Sequence, residues 1–439
     1  MSPSPTSTAT RASRRDATSL PRLLAGVGPD DRAVGLDEHL RLWGSPPWWG
    51  GRHRGKGDPS GLVAAVERSG LAGRGGARFP TGRKLRAVAE NGPRTVVVAN
   101  GTEGEPASAK DKLLMAACPH LVLDGALLAA EAVGAGEVVV CVDAQARAVL
   151  AILDQALAER ASAGLDRLPV SVAVSPSGYV AGEESALIHW LNRGPAIPTA
   201  VPPRPFQRGV RGRPTLVQNV ETLAHLALIA RFGDEWFRAL GTVAEPGSTL
   251  LTVSGAVRYP GVVEATVGTS IGDVVATAGG PTAEVGAFLV GGYFGAWLPA
   301  APAWTAPLSQ AGLTRLGGFL GTGVVVALPA DACGLVETAR VVRYLAGESA
   351  GQCGPCVHGL ASIAGATAEL AGAGRHRRAE EDLARWTAQV RGRGACHHPD
   401  GVANLVDSAL RVFSGEIEVH ARTGRCPATG RPPVLPVPR

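Results

Sequence analysis

The stretch ALLAAEAVGAGEVVVCVDAQARAVLAILDQALAERA (residues 126–161) switches pattern twice. Residues 126–135 place small and aliphatic side chains at helical spacing. EVVVCVD (137–143) is a continuous β-branched run of buried-strand length, and residues 144–161 return to helical spacing. Working outward, RTVVVAN (94–100) and PVSVAVSP (169–176) are two further strand-like runs. Strand, helix, strand, helix, strand in that order predicts a parallel sheet with helices on its faces. Ligands of such sheets sit at the carboxyl ends of the strands, which singles out the loop NGTEGEPASAKD (100–111).

Either side of this region the chain changes character. Residues 1–60 are rich in Ser, Thr, Pro, Gly and Arg and predict a loose leader, with the Trp48-Trp49 pair packed on the following domain. Residues 61–244 hold the strand–helix alternation. Residues 245–330 alternate apolar and polar with Gly and Pro punctuation, and TSIGDVVATAGG reads as a short helix opened by Thr269 or Ser270 and closed by Gly. A small mixed β/α module fits. Residues 331–425 read as a helical bundle, and the Pro-rich tail 426–439 as extended chain.

Bulk properties narrow the function classes. A length of 439 residues suggests about three domains. The most apolar run, 121–140, is interrupted by Asp124, Glu131 and Glu137. It falls short of the roughly 20 uncharged apolar residues of a spanning helix, so any membrane link goes through a partner. The net charge of +5 is spread as scattered Arg, with aromatics at only 5%. A nucleic-acid binder carries a denser basic stripe. An odd count of seven cysteines and no secretory signal argue for a reducing, cytoplasmic setting. Arg14-Arg15 is followed by no apolar stretch or cleavage site.

Four stretches carry chemistry. GRGGARFPTG (73–82) has the form of a glycine loop feeding a helix N-terminus, where backbone N–H groups approach a phosphate. Lys84 adds a charge; the alternative is an ordinary turn. NGTEGEP places Glu103 and Glu105 at a strand end, against the alternative of a solvated acidic loop. YVAGEESALIHWL (179–191) sets Glu183 and Glu184 at a helix start, where carboxylates also serve as caps. Cys353, Cys356 and Cys396 have the character of cluster ligands, with zinc the competitor. Cys118, Cys141 and Cys333 lie in apolar contexts and read as buried core thiols, while Cys426 is undecided.

Taken in order, SGLAGRGGARFPTGRK, VANGTEGEPASAKDK, PHLVLDG, YVAGEESAL, GRPTLVQNVETLAHLA, GTGVVVALP and GESAGQCGPCVHGL, followed by Cys396, resemble the NADH-binding flavoprotein subunit of respiratory complex I and its relatives in NAD-linked hydrogenases and formate dehydrogenases. The match runs from about residue 60 to 425. The resemblance implies an α/β architecture: a Rossmann-like FMN domain, a small β-grasp module of the SLBB type, and a helical iron–sulfur domain. It implies an FMN site at Gly73, Arg74, Gly75, Gly76, Lys84, Asn100, Glu103, Tyr179, Gly182, Glu183, Glu184, Asn219 and Thr222. Phe79 retains one ring of the NAD(H) site, and Glu105 approaches the nicotinamide side. The metal ligands are Cys353, Cys356 and Cys396.

The chain departs from the family pattern at two places. Where the family motif SCGxCxPC has its first cysteine, this chain has Ala350. Three thiolates remain, which leaves a three-iron cluster, a four-iron cluster (4Fe–4S) with a recruited ligand (His358, His397, His398 or Cys426), or no cluster. In the dinucleotide pocket, the second ring position holds Ala87, the PPF aromatic and its Lys become Arg204 and Val201, and Arg78 replaces a Gly. Lost base stacking costs about 1–3 kcal/mol per base. The function implied is an FMN- and iron–sulfur-dependent NADH dehydrogenase-like oxidoreductase acting with a redox partner or in a multi-subunit complex. The alternatives are a flavin carrier served by another donor such as ferredoxin, docked on the Arg-rich 204–213 loop, and a non-catalytic scaffold.

Overall fold

A computed structural model describes residues 16–28, 32–48, 61–92, 94–372 and 377–438. The three strand runs form β1 (Thr95–Gly101), β2 (Ala135–Asp143) and β3 (Val170–Ser175), joined by β4 (Thr215–Asn219). All four are parallel, in the order β3-β2-β1-β4. Alternate residues of β1 enter different cores. Val97 and Ala99 pack with the helix Pro119–Val133, while Val96 and Val98 pack with Leu187, Ile188 and Val210. Burial on both faces is why the strands read as unbroken apolar runs.

The helix expected at 126–135 begins earlier, at Pro119, and ends at Gly134, whose φ of 68° closes it in the left-handed region. It packs on the helix Val220–Phe232 closely enough that a Cβ on Gly125 would lie 1.9 Å from the Leu223 carbonyl oxygen. Asp124, in the middle of this apolar helix, is fully buried. It accepts from His39 (2.8 Å) and pairs with Arg160 (2.8 Å) and Arg231. Burial alone would raise this carboxyl, but the His39 hydrogen bond and the two guanidinium groups hold it well below the usual range. Among the described residues no single helix is long and apolar enough to cross a membrane. The pair Lys110–Ala117 and Pro119–Val133 passes only together, and it bends by 97°.

The leader differs from expectation in its described part. Leu23, Ala25, Val34 and Trp43 are buried in the main core, and Leu36–Trp43 is a helix whose His39 reaches Asp124. Apolar residues spaced through a Pro- and Gly-rich segment found a surface to cover. Trp48 packs on the same core; Trp49 lies outside the described residues.

A second sheet contains β5 (Ser248–Gly255), β6 (Gly261–Thr266), β7 (Val285–Val290), β8 (Ala296–Pro299) and β9 (Val324–Pro329), in the order β6-β5-β9-β7-β8. β5 and β9 are parallel and the other pairs antiparallel. Its helix Ile271–Thr277 is capped by Ser270, which accepts from Asp273 N at 3.1 Å. The bundle follows as helices Gly334–Gly347, Leu360–Ala371, Arg377–Val390, His398–Val412 and Ser414–Thr423. It is locked to β8 by Trp297, whose ring meets Phe413 and whose indole N–H donates to Thr338 (3.0 Å). The tail beyond, expected to be extended, instead turns over residues 427–430 and is irregular from there on.

Candidate functional site

The strand order reverses between β1 and β4, since β2 and β3 lie on one side of β1 and β4 on the other. This is the switch point at which open parallel sheets bind ligands. Asn100 and Asn219 face each other in register at its carboxyl end. Asn219 caps the helix Val220–Phe232, accepting from Glu221 N (3.0 Å), and donates to Asp111 (2.7 Å). Asn100 donates to the Gly182 carbonyl (2.9 Å).

The glycine loop lies against this edge. Gly73 N donates to Phe79 O (2.9 Å), closing the loop ahead of the helix Thr81–Ala89. A Cβ on Gly75 would sit 3.2 Å from Asn219 Cβ, so glycine permits the close approach there. Arg78 takes φ 51°, the conformation a glycine would adopt, and its guanidinium pairs with Glu245. Lys84 pairs with Glu184 at 2.9 Å, both partly exposed.

Several residues expected to meet a cofactor are committed within the protein. Arg74 is buried, donates to Ser248 O (2.9 Å), and uses its backbone N–H on the Thr222 hydroxyl (2.8 Å). Both residues therefore anchor the loop, because no water reaches them. Glu103 accepts from the Ser108 hydroxyl, Asp111 N (3.2 Å) and Lys112 N (3.1 Å), capping the helix Lys110–Ala117. Glu183 caps the helix Glu184–Leu191 by accepting from Ser185 N (2.9 Å) and Ala186 N (3.1 Å). Beneath them Lys110 bridges Asp111 (2.7 Å) and Glu221 (2.8 Å), a buried trio that no motif in the sequence signals.

Glu105 is the most unusual group. With Glu103 it is buried, so NGTEGEP is not a solvated loop. Glu105 accepts from Tyr179 OH (2.8 Å), Tyr293 N (2.7 Å) and Ala107 N (3.2 Å). Burial pushes its carboxyl up to about 7 against those three hydrogen bonds. Gly292, at φ 88°, leaves room for it: a Cβ there would lie 2.6 Å from Oε2. The Tyr179 ring rests on Phe294 (4.7 Å) and His398 (5.8 Å), and its backbone N–H donates to Glu348 (2.6 Å). Glu105, from the loop after β1, is thereby tied to the second module through Tyr293 and to the bundle through Tyr179.

Glu348 leads directly into Ser349, Ala350 and the cysteine loop. Gln352 of that loop donates to Pro198 O (2.7 Å). Cys356 is buried and lies in the π-turn Pro355–Gly359 ahead of the helix Leu360–Ala371; Cys353 and Cys396 are half-buried. Burial raises Cys356 to about 11, opposed by a hydrogen bond from Ser349 and reinforced by Cys353 and Cys396. The three sulfurs are close enough to influence one another, yet they are not gathered at the spacing of a single ion. The one trio of ligand atoms within 4.8 Å of one another, among the described residues, is elsewhere. Of the candidate fourth ligands, His397 is exposed and paired with Asp400 (3.2 Å). His398 is buried with Nε2 on Leu345 O (2.8 Å), and Cys426 lies with Cys333 and His420. Cys118 and Cys141 are buried core thiols, each pushed up to about 12 by burial.

The donor set suits a phosphorylated flavin on chemical grounds. A glycine cradle offers backbone N–H groups, a lysine is held only by a partly exposed carboxylate, and amide side chains line the strand ends. The dinucleotide side is less furnished. Phe79 is 51% exposed, Ala87 is half-buried, and Val201 and Arg204 are exposed with no ring in their place. Arg211 and Arg213, expected on a docking loop, both pair with Glu137.

The family models agree with this geometry. The Nuo51 FMN-binding domain matches residues 66–228, the SLBB domain 250–292, and the NADH-ubiquinone oxidoreductase-F iron-sulfur binding region 337–420. The chain is 31% identical over 389 residues to the F subunit of the NADH-quinone oxidoreductase of Streptomyces coelicolor, covering 84% of this chain and 85% of that one. It is 32% identical over 401 residues to the corresponding F subunit of Mycobacterium tuberculosis, covering 86% and 88%. A chain of an NAD+-reducing [NiFe]-hydrogenase in the air-oxidized state superposes with a TM-score of 0.77 at 35% identity. The match covers 83% of this chain and spans 63% of that one.

Proposed function

The chain belongs to the family of NADH-quinone oxidoreductase F subunits, and from that premise we propose how its own residues serve FMN- and iron–sulfur-dependent electron transfer of the NADH dehydrogenase type. The observation that carries the reading is the unbroken path Glu105–Tyr179–Glu348, which joins the switch-point crevice to the cysteine loop. When bound, FMN supplies the exchange between a hydride pair and single electrons. The chain supplies position and electrostatics. Gly73 shapes the loop through its bond to Phe79 O; the backbone N–H groups of Gly75 and Gly76 and the Lys84 ammonium hold the phosphate, while Asn100, Asn219 and Glu184 meet the ribityl hydroxyls. Gly182 gives close approach. Arg74, Thr222, Glu103 and Glu183 act at one remove by fixing the loop and helix starts.

Glu105, poised near neutrality, holds or yields a proton at its carboxylate as charge at the crevice changes. Phe79 offers one stacking face to a nicotinamide dinucleotide. Cys353, Cys356 and Cys396 ligate the cluster. The chain works as one part of a multi-subunit redox complex on the cytoplasmic side, reaching a membrane only through partners.

A second reading, a donor other than NADH such as a reduced ferredoxin, is favoured by the missing rings at Ala87 and Arg204. An anaerobic absorption spectrum of the purified protein separates the two. Flavin bands that bleach with NADH support the first. Bands indifferent to NADH but bleached by reduced ferredoxin support the second. A protein that cannot be reconstituted with FMN and iron sinks both.

A further inference from the structure

Remote from the crevice, three ligand groups from separate parts of the bundle converge. Cys333 caps the helix Gly334–Gly347 just past β9. His420 lies in the last turn of the helix Ser414–Thr423, and Cys426 follows the Gly424 that ends it. One ligand atom from each lies within 4.8 Å of the other two. Cys333 and His420 are buried and Cys426 is half-buried. Cys333 Sγ is 3.7 Å from His420 Nε2 and 3.1 Å from Glu416 Oε2. Glu416 stands four residues before His420, on the same helix face.

The Cys333–His420 distance matches a tetrahedral ion. With Zn–S about 2.3 Å and Zn–N about 2.1 Å, a sulfur and a nitrogen ligand stand about 3.6 Å apart. Two thiols and an imidazole form a borderline-soft donor set that suits zinc and not magnesium or calcium. His420 is 1% exposed, and its Nδ1 has no partner among the described residues. The ion would bind at Nε2, which faces Cys333, while Nδ1 lies on the other side of the ring.

We propose that Cys333, His420 and Cys426 hold a structural zinc ion distinct from the iron–sulfur site, with water completing the tetrahedron and Glu416 orienting Cys333 from outside the ligand set. Binding releases the two thiol protons and changes no oxidation state. The ion clips the start of the tail, where Cys426 opens a turn, to the junction between β9 and the bundle. The tail then runs on to Glu337, which accepts from Val434 N (3.0 Å) and Leu435 N (3.0 Å), and to Pro436 O, which accepts from Tyr293 OH. Tyr293 is also the residue whose backbone N–H holds Glu105. The zinc thus secures the outer support of the crevice carboxylate.

The test is elemental analysis of the full-length holoprotein purified without chelators. About one zinc per chain is expected, retained in Cys353→Ser, which loses iron. The zinc is lost in Cys333→Ser and in Cys426→Ser, with flavin and iron unchanged. Because these variants can fail to fold, the wild type grown with cobalt in place of zinc supplies an independent reading. It should show thiolate-to-cobalt charge-transfer bands and the visible bands of a tetrahedral site. Zinc-free wild type with both thiols titratable and no uptake of added zinc overturns the proposal. So does a Cys333–Cys426 disulfide in peptide mapping of protein prepared under reducing conditions, or zinc that persists in both serine variants.

Discussion

Replacing Glu105 by Gln should stabilise the protein above neutral pH and leave it nearly unchanged in acid. The native carboxyl is raised from 4.5 to about 7, chiefly by burial. A carboxyl raised on folding binds more protons in the folded than in the unfolded state between those two values. Stability therefore falls as pH rises through that window and stays low above it. Each unit is worth 1.36 kcal/mol, so at pH 8 ionised Glu105 costs about 3 kcal/mol relative to a neutral group. Glutamine keeps an oxygen to accept from Tyr293 N and Tyr179 OH and never ionises. The assay is urea unfolding of wild type and Glu105→Gln at matched flavin and iron content, at pH 5 and pH 8. The variant should gain about 3 kcal/mol at pH 8 and under 1 kcal/mol at pH 5. An equal stability difference at both pH values would refute the reasoning, because it would mean that Glu105 titrates like an exposed carboxylate. Activity of the same variant should fall and lose its dependence on pH near neutrality.

Restoring the missing thiolate with Ala350→Cys should raise bound iron toward about four per chain and give the electron paramagnetic resonance signal of a reduced four-iron cluster. Unchanged iron content and spectrum would show that the loop already holds a complete cluster through another ligand. Ala87→Phe supplies a second stacking face and should lower KM for NADH about tenfold, within the 1–3 kcal/mol of base–aromatic stacking; an unaltered KM in steady-state assays would place the adenine elsewhere. Gly125→Ala drives a Cβ to 1.9 Å from the Leu223 carbonyl oxygen. It should cost about 3 kcal/mol in thermal unfolding through forced separation of the two central helices.

Part of this molecule is legible without coordinates. The strands β1 and β2 declare themselves as β-branched runs because both faces of a parallel sheet are buried, and the helix from Ile271 declares its start by Ser270. The glycine loop, the carboxylate loop and the CxxC are contiguous motifs that can be located from spacing, but by themselves they leave an ordinary turn, a solvated loop and zinc open; their order along the chain and its resemblance to the family point to the chemistry. The helix that begins at Pro119 is legible only from residue 126. The whole helix is buried apart from Glu131, so period alone does not mark its start; Pro119, His120, Asp124 and Gly125 interrupt the apolar pattern ahead of residue 126.

What the chain does not announce are the long-range pairings. That β4 lies beside β1, placing Asn219 opposite Asn100, depends on contacts more than a hundred residues apart. Whether Arg74, Thr222 and Glu103 meet a ligand or anchor a loop depends on which neighbours bury them. The acidity of Glu105 is decided by desolvation and by the N–H of Tyr293, 188 residues away. Cys333 and Cys426 stand 93 positions apart in the numbering, and only the return of the last helix onto the end of β9 brings them to one point. Composition and pattern thus determined the modules and their chemistry, because those follow from local periodicity and from the order of the motifs. Tertiary packing decided protonation, ligation and which polar groups remain free, because those are set by distance and burial.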